Sequence, residues 1–399
     1  MTTPTAIIGP APATGALSGI VRQPTISCAW GTTMRTSLPV GLADPTTITN
    51  VLAAHTSVGV DSAVADASFV VPTLGDLHGA AAWHIVSLQL SAGGGTPVPW
   101  CGYITDIDQG LYPRAVAVTC KGFLIRAEMQ ANRTPGGLLP LAPLPGGNQD
   151  DLLVNVILGQ CGLVMPPLSL QINGCGRTFG TVAREPFRWA EGETGLSYIQ
   201  RLDEVSFQAF SGSWMAYRTF DDVGGYIKRT PIDAVPGVSA AATFTEGVDI
   251  FTGSGQQSVL PIRNQVNATG FDPGDGTGAV QYSAAVASSY IPTPPQYVTL
   301  QLSNPMIERA TEASAGLGMS AEAVCNGLLY QWNRLQKRVA FTTPRDDHLG
   351  VAATIAVATP GGSADRLGMV GTFWLQHIDR DIDARGTFTQ SLVAIAGGV

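Results

Sequence analysis

The sequence predicts a mainly β protein with an α+β insert, in which two tube-like β-barrel domains flank a smaller α+β domain. The 47 glycines and 27 prolines are spread between short apolar runs, which is typical of a β protein with many turns. Helical periodicity occurs in only a few segments, and similar hairpin patterns occur towards both ends of the chain. The length of 399 residues exceeds one ordinary hydrophobic core, and we expect three domains.

The expected domains follow one another along the chain and are separated by composition. They are an N-terminal barrel at 1–131, a Pro/Gly-rich linker at 132–149, an α+β domain at 150–238, and a C-terminal barrel at 239–399 with an inserted helix near 320–336.

The first barrel is predicted from short strand-like runs between Gly, Pro and Asp clusters. In the run AWHIVSLQL the larger apolar residues do not keep one parity. This pattern predicts either a bulge near Val86 and Ser87 or burial on both faces of the strand. The runs are TISCAW, ASFVV, AWHIVSLQL, WCGYITDI and RAVAVTCKGFLI.

The middle domain is predicted from two helices and a hairpin. DDLLVNVILGQCGL begins with carboxylates, which favours a helix from about Asp150 to Cys161. In GETGLSYIQRLDEV, apolar residues recur every three positions, which indicates a second helix. The segments VSFQAFSGSWMAYRTF and YIKRTPI then predict two strands joined by the turn DDVGG.

The third domain is predicted from strands at both ends and one internal helix. TFTEGVDIFTGSGQQSVLPIRNQVNATGFD and GTFWLQHIDRDIDARGTFTQSLVAIAG both have the pattern of paired strands about turns. Ser320 can cap a helix, with Glu322 in its first turn. The apolar stripe of that helix consists of Val324, Leu328, Trp332 and Leu335.

A spacing links the two outer domains. Ile107 and Asp108 precede Gly122 at the same separation at which Ile382 and Asp383 precede Gly397. We therefore expect the two barrels to be related and to superpose.

Four segments carry a family resemblance: GYITDID with VAVTCKG, GETGLSYIQRLDEV with YRTFDDVGGYIKRTP, FTEGVDIFTGSG with IRNQV, and GTFTQSLVAI. In this order, from about residue 25 onward, the chain resembles the baseplate hub family of phage tails and related injection machines. The resemblance implies a homotrimer at the virion tail tip whose barrels form a pseudo-sixfold ring that closes the tail tube. It also implies adaptation of a sixfold tail to a threefold spike or fibre, and passage of the genome at ejection.

The partners that the resemblance implies are distal tail or tube ring proteins, spike or fibre proteins and the tape measure protein, with DNA passing the lumen without specific binding. The composition agrees with passage of DNA without specific binding, because a net charge of −8 argues against binding to phosphates or anionic membranes. Charged residues make up only 13% of the chain, so we expect partners to bury much of its surface. No signal peptide or apolar span is found, so we expect no membrane insertion and assembly in the host cytoplasm.

The search for catalytic motifs finds no HExxH, no GxxxxGK[ST] and no GxSxG. Only His55 and His78 are expected in turn-like surroundings, and the histidines are interpreted as structural or surface residues. The six cysteines have irregular spacings without a CxxC pair, so we expect free thiols and no zinc site. No catalytic residue, cofactor or metal is therefore expected, and the protein is not expected to be an enzyme.

Acidic segments are the remaining candidates for a functional site. DPGDGTG has the composition of a turn, whereas DRDID alternates as a strand does, with its carboxylates on one face. Adjacent Asp346 and Asp347 would point to opposite faces of an extended segment, so they are poor candidates for one site. The candidate lumen-facing residues are Asp106, Asp108, Asp379, Asp381 and Asp383.

Two alternatives to the trimeric hub stay open at this point. A distal tail ring protein would be sixfold, and copy number would distinguish it from the hub. A tail-tip cell-wall hydrolase would degrade cell walls, which a zymogram would detect.

Overall fold

The structure is a computed structural model, and it describes most of the chain. The described residues are 24–35, 41–92, 99–110, 115–139, 149–163, 170–172, 185–210, 213–222, 226–231, 239–258, 261–291, 297–308, 319–334, 336–362, 365 and 368–396.

The first region is built from strands, as the sequence predicts. Val116, Val118 and Cys120 are buried in one of these strands while Ala117 and Thr119 are exposed, the alternation expected of a sheet with one covered face. The strands are β1 (Thr25–Gly31), β2 (Thr46–Ile48), β3 (Ala53–Gly59), β4 (Asp66–Val71), β5 (Ile85–Ser91), β6 (Trp100–Gly110) and β7 (Ala115–Lys121).

Strand β5 is buried on both faces. Its pairing with β1 runs without interruption from Ile85 to Ser91, so the alternative of a bulge is wrong. Val86 and Leu88 face one hydrophobic core, and Ile85 faces another, which explains the lack of one apolar parity.

The run RAVAVTCKGFLI is only partly a strand. Strand β7 ends at Lys121, and Phe123 and Leu124 lead into the short helix α1 (Ile125–Met129). The chain turns at Gly122, where a Cβ atom would lie 2.3 Å from an Asp221 carboxylate oxygen. A side chain there would collide with Asp221, so glycine permits this close approach.

The middle region has the predicted helices and hairpin. Thr194 caps the second predicted helix through a hydrogen bond that its hydroxyl accepts from the Ser197 amide, at 3.1 Å. The two strands of the hairpin pair from Tyr217 opposite Pro231 to Asp222 opposite Tyr226. The elements are α2 (Gln149–Gln160), β8 (Leu170–Ile172), α3 (Gly195–Asp203), β9 (Phe207–Phe210), β10 (Ser213–Asp222) and β11 (Tyr226–Pro231), and the sheet order is β8-β11-β10-β9.

The first strands of the third region are β12 (Ala242–Thr245), β13 (Thr252–Ser258), β14 (Gln265–Thr269), β15 (Gln281–Ala285), β16 (Thr299–Ser303), β17 (Ile307–Glu308) and β18 (Met319–Ser320). The remaining elements are α4 (Ala321–Trp332), β19 (Gln336–Thr343), β20 (Thr354–Ala358), β21 (Gly371–Ile382) and β22 (Phe388–Ala396). The predicted cap of the inserted helix is present, because Ser320 Oγ accepts from the Ala323 amide at 3.1 Å. Leu335 lies outside the described residues.

Strand pairing in the third region differs from the simple hairpins expected from the sequence. The final hairpin, β21 with β22, is confirmed. Strands β12 and β13 are close in sequence, but they do not pair with each other. Instead, β12 pairs in parallel with β20, and β13 pairs with β19. Local periodicity gives the strands but not their partners, because those partners lie about a hundred residues away.

One long sheet connects the first and third regions. Its order is β13-β19-β22-β21-β3-β4-β7-β6-β5-β1-β2, with β20 and β12 branching from β21. The connection is made by β21 and β3, which pair from His377 opposite Gly59 to Ile382 opposite Ala54. The domain bounds and the superposition of the two barrels stay predictions.

The described residues form two large hydrophobic cores. The first core contains the buried side chains of the long sheet from both outer regions, such as Phe69, Val118 and Ile378. The second core packs helices α1, α2, α3 and α4 and the small sheets against the β5–β6 end of the long sheet, through Ile85 and Cys101. Helix α4 therefore lies in the α+β layer and not inside a barrel.

A buried polar network holds the middle region together. The fully buried Arg229 guanidinium donates to Asp203 at 3.1 Å, to Asp151 at 2.8 Å and to Ser206 Oγ at 2.7 Å. Asp151 lies on α2, Asp203 is the last residue of α3 and Ser206 follows it, so one side chain joins two helices to β11. A buried guanidinium is tolerated because its charge is compensated by two carboxylates.

The five described cysteines are free and buried, in agreement with the prediction, and Cys175 lies outside the described residues. Burial raises the pKa of the Cys161 and Cys325 thiols to about 11. These thiols are therefore neutral and unreactive near neutral pH. Within the described part of the chain, none of the helices is both apolar enough and long enough to cross a bilayer.

Candidate functional site: an acidic sheet face

The five candidate carboxylates lie on two hairpins of the long sheet. Asp106 and Asp108 are exposed on β6, and Asp379 and Asp381 are half-buried on β21. Neighbouring buried residues of β21, such as Ile378 and Ile382, face the first core. The predicted alternation of the DRDID segment is therefore present in the strand.

Two β-bulges determine which face these carboxylates occupy. In β6 the register shifts between Ile104 and Asp106, and in β21 it shifts between Leu375 and His377. Because one extra residue reverses the parity of a strand, Asp106 and Asp379 would point into the first core without the bulges. Both hairpins therefore use the same device to present carboxylates on the polar face.

The register places the two pairs of carboxylates on the same face of one sheet. Across β21, β3, β4, β7 and β6, successive partners form a continuous row of side chains that are half-buried or exposed. We call this surface the acidic face. The row consists of Asp381, His55, Ser68, Thr119 and Asp106.

Two histidines lie among the carboxylates at the junction of β3 and β21. His55 Nδ1 lies 2.7 Å from Asp381 Oδ1, and His377 Nε2 lies 2.9 Å from Asp379 Oδ1. Ser57 Oγ lies 3.2 Å from the same nitrogen of His377. The contacts of His55 with Asp381 and of Ser57 with His377 each join residues more than three hundred positions apart in sequence, so periodicity does not indicate them.

The partner carboxylates shift the protonation of both histidines, and the protonation of Asp379 is shifted in turn. The hydrogen bond to Asp381 raises the pKa of His55, and the hydrogen bond to Asp379 raises the pKa of His377. The pKa of Asp379 is lowered, since its hydrogen bonds to His377 and Ser57 together outweigh its desolvation. The pairs therefore favour imidazolium beside carboxylate, which reduces the net negative charge at this part of the acidic face.

The remaining carboxylates of the face differ in how they are compensated. Asp66 on β4 forms an ion pair with Lys121 on the neighbouring β7. Asp106 and Asp108 form no ion pair with any residue that the structure describes, so their charge is directed to solvent. The β6 end of the acidic face is consequently its most negative part.

Two sequence-based expectations need correction. Asp383 follows β21 and is not one of its face residues: its Oδ1 accepts from the Arg385 amide at 2.9 Å and from the Thr387 amide at 2.8 Å. These bonds close the β21–β22 turn and lower the pKa of Asp383. His55 lies in strand β3 and not in a turn, whereas His78 lies in a turn with φ of 50°.

The other acidic segments act as local structure. In DPGDGTG, Asp272 and Asp275 each accept a hydrogen bond at 2.9 Å from the backbone amide two residues later, as in an Asx turn. Asp346 lies 3.3 Å from His348, while Asp347 pairs with Arg345 at 2.8 Å. The two adjacent carboxylates thus have different partners. Among the residues described, no group of three or more His, Cys, Asp or Glu side chains is arranged to hold a metal ion.

Comparison with known proteins finds similarity only in structure. No protein-family model and no curated protein matches the sequence. A tail protein from Neisseria meningitidis MC58 has a TM-score of 0.58 at 9% identity, covering 94% of this chain and 98% of its own. The 43 kDa tail protein of prophage MuSo2 from Shewanella oneidensis has a TM-score of 0.58 at 12% identity, covering 93% and 98%.

A prophage tail protein from Listeria monocytogenes EGD-e has a TM-score of 0.54 at 8% identity, covering 92% of this chain and 94% of its own. The mainly β fold with a small helical part is therefore confirmed, and so is the resemblance to phage tail proteins at the level of the fold. Over more than nine-tenths of its length, the chain has the fold of phage tail proteins.

Proposed function

We propose that the protein is a structural component of a phage tail, a trimeric hub that closes the tube at the tail tip and lets the genome pass. The observation that carries this proposal is the fold shared with tail proteins over almost the whole of both chains. Coverage of both chains matters, because it extends the likeness to both outer regions, to the α+β layer and to the long sheet that joins them.

The hub proposal includes adaptation between a sixfold tail and a threefold spike or fibre. The paired hairpins support it: each outer region contributes a bulged hairpin to one sheet, so three chains supply six such hairpins. The partners would be distal tail or tube ring proteins, the tape measure protein, and spike or fibre proteins. The site of assembly would be the host cytoplasm, with the finished protein at the virion tail tip.

The acidic face is proposed to line the lumen of the ring. A wall that presents Asp106 and Asp108 without compensating cations would repel phosphates, so DNA would pass without being held by counterion release. The histidine–carboxylate pairs at the β3–β21 junction would moderate the charge without creating a basic patch.

Oligomer mass is the first test of the proposal. Sedimentation equilibrium of the purified chain over a wide concentration range should give three times the monomer mass of 41.5 kDa. A hexamer would instead indicate a distal tail ring, and a chain that stays monomeric at every concentration would contradict the hub.

A charge reversal tests the lumen. Replacing Asp106, Asp108, Asp379 and Asp381 with Lys should slow genome release most at low salt, where screening is weakest. Replacement of the exposed Asp272 and Asp275 with Lys, in a turn outside the acidic face, is the control for added positive charge. Assembled tails that release DNA at the wild-type rate with the four-residue variant would exclude the acidic face from the lumen wall.

A further inference from the structure

A cleft near one end of the long sheet has the composition of a protein-binding site. Its volume is about 520 Å³, and the described residues that line it are Trp83, Tyr103, Arg126, Met129, Gln130 and Cys161. Trp, Tyr, Met and Arg are the residue types enriched at the centre of protein interfaces. We call this cavity the aromatic cleft.

Trp83 is held in the aromatic cleft at a conformational cost. Its φ is 68°, a left-handed conformation that is rare for a bulky side chain, and its backbone amide donates to Ile104 O at 2.7 Å. In spite of this fixed position, 48% of Trp83 is exposed. A strained backbone that leaves a large aromatic ring in solvent indicates a role in binding more than in folding.

Arg126 gives the aromatic cleft its charge. Its guanidinium lies 6.0 Å from the centre of the Tyr103 ring and contacts Gly162, whose lack of a side chain leaves room for it. Arg126 is exposed and has no carboxylate partner among the residues that the structure describes. The cleft therefore favours an apolar group that has a carboxylate next to it.

The same chain presents such a group at the other end of the long sheet. The turn at 246–251, between β12 and the edge strand β13, exposes 66% of Val248 and 69% of Phe251. Glu246 in this turn is half-buried and forms no ion pair with any described residue. Asp249, in contrast, is held within its own chain, because it accepts from the Thr245 amide at 2.9 Å and lies 3.1 Å from Arg345.

We infer that the 246–251 turn of one copy binds in the aromatic cleft of the next copy. Val248 and Phe251 would cover Trp83 and Met129, and Glu246 would pair with Arg126. Turn and cleft lie towards opposite ends of the strand order, so the contact is head-to-tail, and such contacts generate closed rings when the rotation permits. The inference rests on the proposed trimer and assigns its interface.

The test is the concentration dependence of assembly, measured by sedimentation equilibrium. Trp83→Ala and Arg126→Glu on the cleft, and Phe251→Ser and Glu246→Arg on the turn, should each raise the concentration at half assembly at least about tenfold, as expected for central interface residues. The double variant Arg126→Glu with Glu246→Arg should recover assembly, because it restores the charge pair in reversed order. Leu52→Ser and Arg385→Glu, two exposed positions outside both surfaces, are the controls and should assemble as the wild type does.

The outcomes separate this inference from the hub itself. If the wild type forms a trimer that none of the four variants weakens, the inferred interface is wrong, whereas the hub proposal is unaffected. Weakening by the cleft variants alone, without rescue by the double variant, would overturn the turn as the occupant. A wild-type chain that never assembles would overturn both proposals. Unchanged thermal unfolding of each variant monomer would show that lost assembly does not come from lost folding.

Discussion

Asp221 makes the junction between the middle region and the first region sensitive to pH. Its buried carboxyl accepts from the Leu124 amide at 3.1 Å and from the Ala65 amide at 3.4 Å, and its own amide donates to Ala63 O at 2.8 Å. It has no cationic partner within the described chain. Burial raises the pKa of Asp221 to about 8, although these backbone donors oppose the shift.

The sign of the effect follows from the proton balance. In the unfolded chain the carboxyl loses its proton near pH 4, whereas the folded chain keeps it up to about pH 8. The contribution of Asp221 to stability is therefore largest below pH 4 and falls as the pH rises towards 8. The slope is about 1.4 kcal/mol per pH unit, so the loss between pH 5 and 7 is about 2.7 kcal/mol.

The assay compares the free energy of unfolding of the wild type and the Asp221→Asn variant by denaturant titration at pH 5, 6 and 7. The asparagine at position 221 cannot ionise, so its stability lacks this pH dependence. The free energy of unfolding of the wild type should therefore fall by about 2.7 kcal/mol relative to that of the variant between pH 5 and pH 7. Asp222→Asn, which alters the neighbouring carboxylate paired with Lys228, is the control and should not reproduce this trend. A difference that is constant, or that favours the wild type more at higher pH, would mean that the buried carboxylate is ionised and would refute the reasoning.

Three further predictions concern other parts of the molecule. Arg229→Met should destabilise the chain by about 3–5 kcal/mol in denaturant titration, because it leaves the buried Asp203 and Asp151 without their cation, and a loss below about 1 kcal/mol would contradict this. Gly122→Ala should lower stability by about 1–3 kcal/mol through the collision with Asp221, while Gly159→Ala in α2, where a Cβ meets nothing within 4 Å, should raise it by up to about 1 kcal/mol. The His55 ring should titrate in NMR above its ordinary pKa of about 6.5 and return towards 6.5 in Asp381→Asn. Its pairing with Asp381 therefore contributes stability below pH 6.5 that is lost as the pH rises through the raised pKa, and an unshifted midpoint would exclude the pairing in solution.

The helices and most strands were predictable from sequence because their signals are local. Thr194 and Ser320 each cap a helix within three residues of the amide they bind, and the alternation along β7 spans only seven residues. The boundary at Gly122 was missed, since Phe123 and Leu124 fit a strand pattern equally well. Only the position of Asp221, about a hundred residues later, explains why the chain turns there.

The acidic face was only partly predictable for the same reason. Alternation placed Asp379 and Asp381 on one side of a strand, but the choice of side depends on a bulge whose location no local pattern indicates. His55 and His377 join the face through the pairing of β3 with β21, a contact between distant segments. The strained conformation of Trp83 was likewise not predictable from the sequence. A positive φ at a tryptophan is imposed by the surrounding backbone and not by the preference of the residue itself.

A fold shared with tail proteins at about a tenth of identical residues is consistent with how this chain specifies its structure. Most of its elements depend on alternation, caps, turns and two bulges, and each of these can be met by several residue types. The positions that tolerate little change are those where one particular group is needed, such as Gly122 against Asp221 or Arg229 between two buried carboxylates. Surfaces such as the acidic face and the aromatic cleft are freer to vary, because they must match only the molecules that they contact. A chain with this fold can therefore keep its sheet order while its surfaces diverge with its partners.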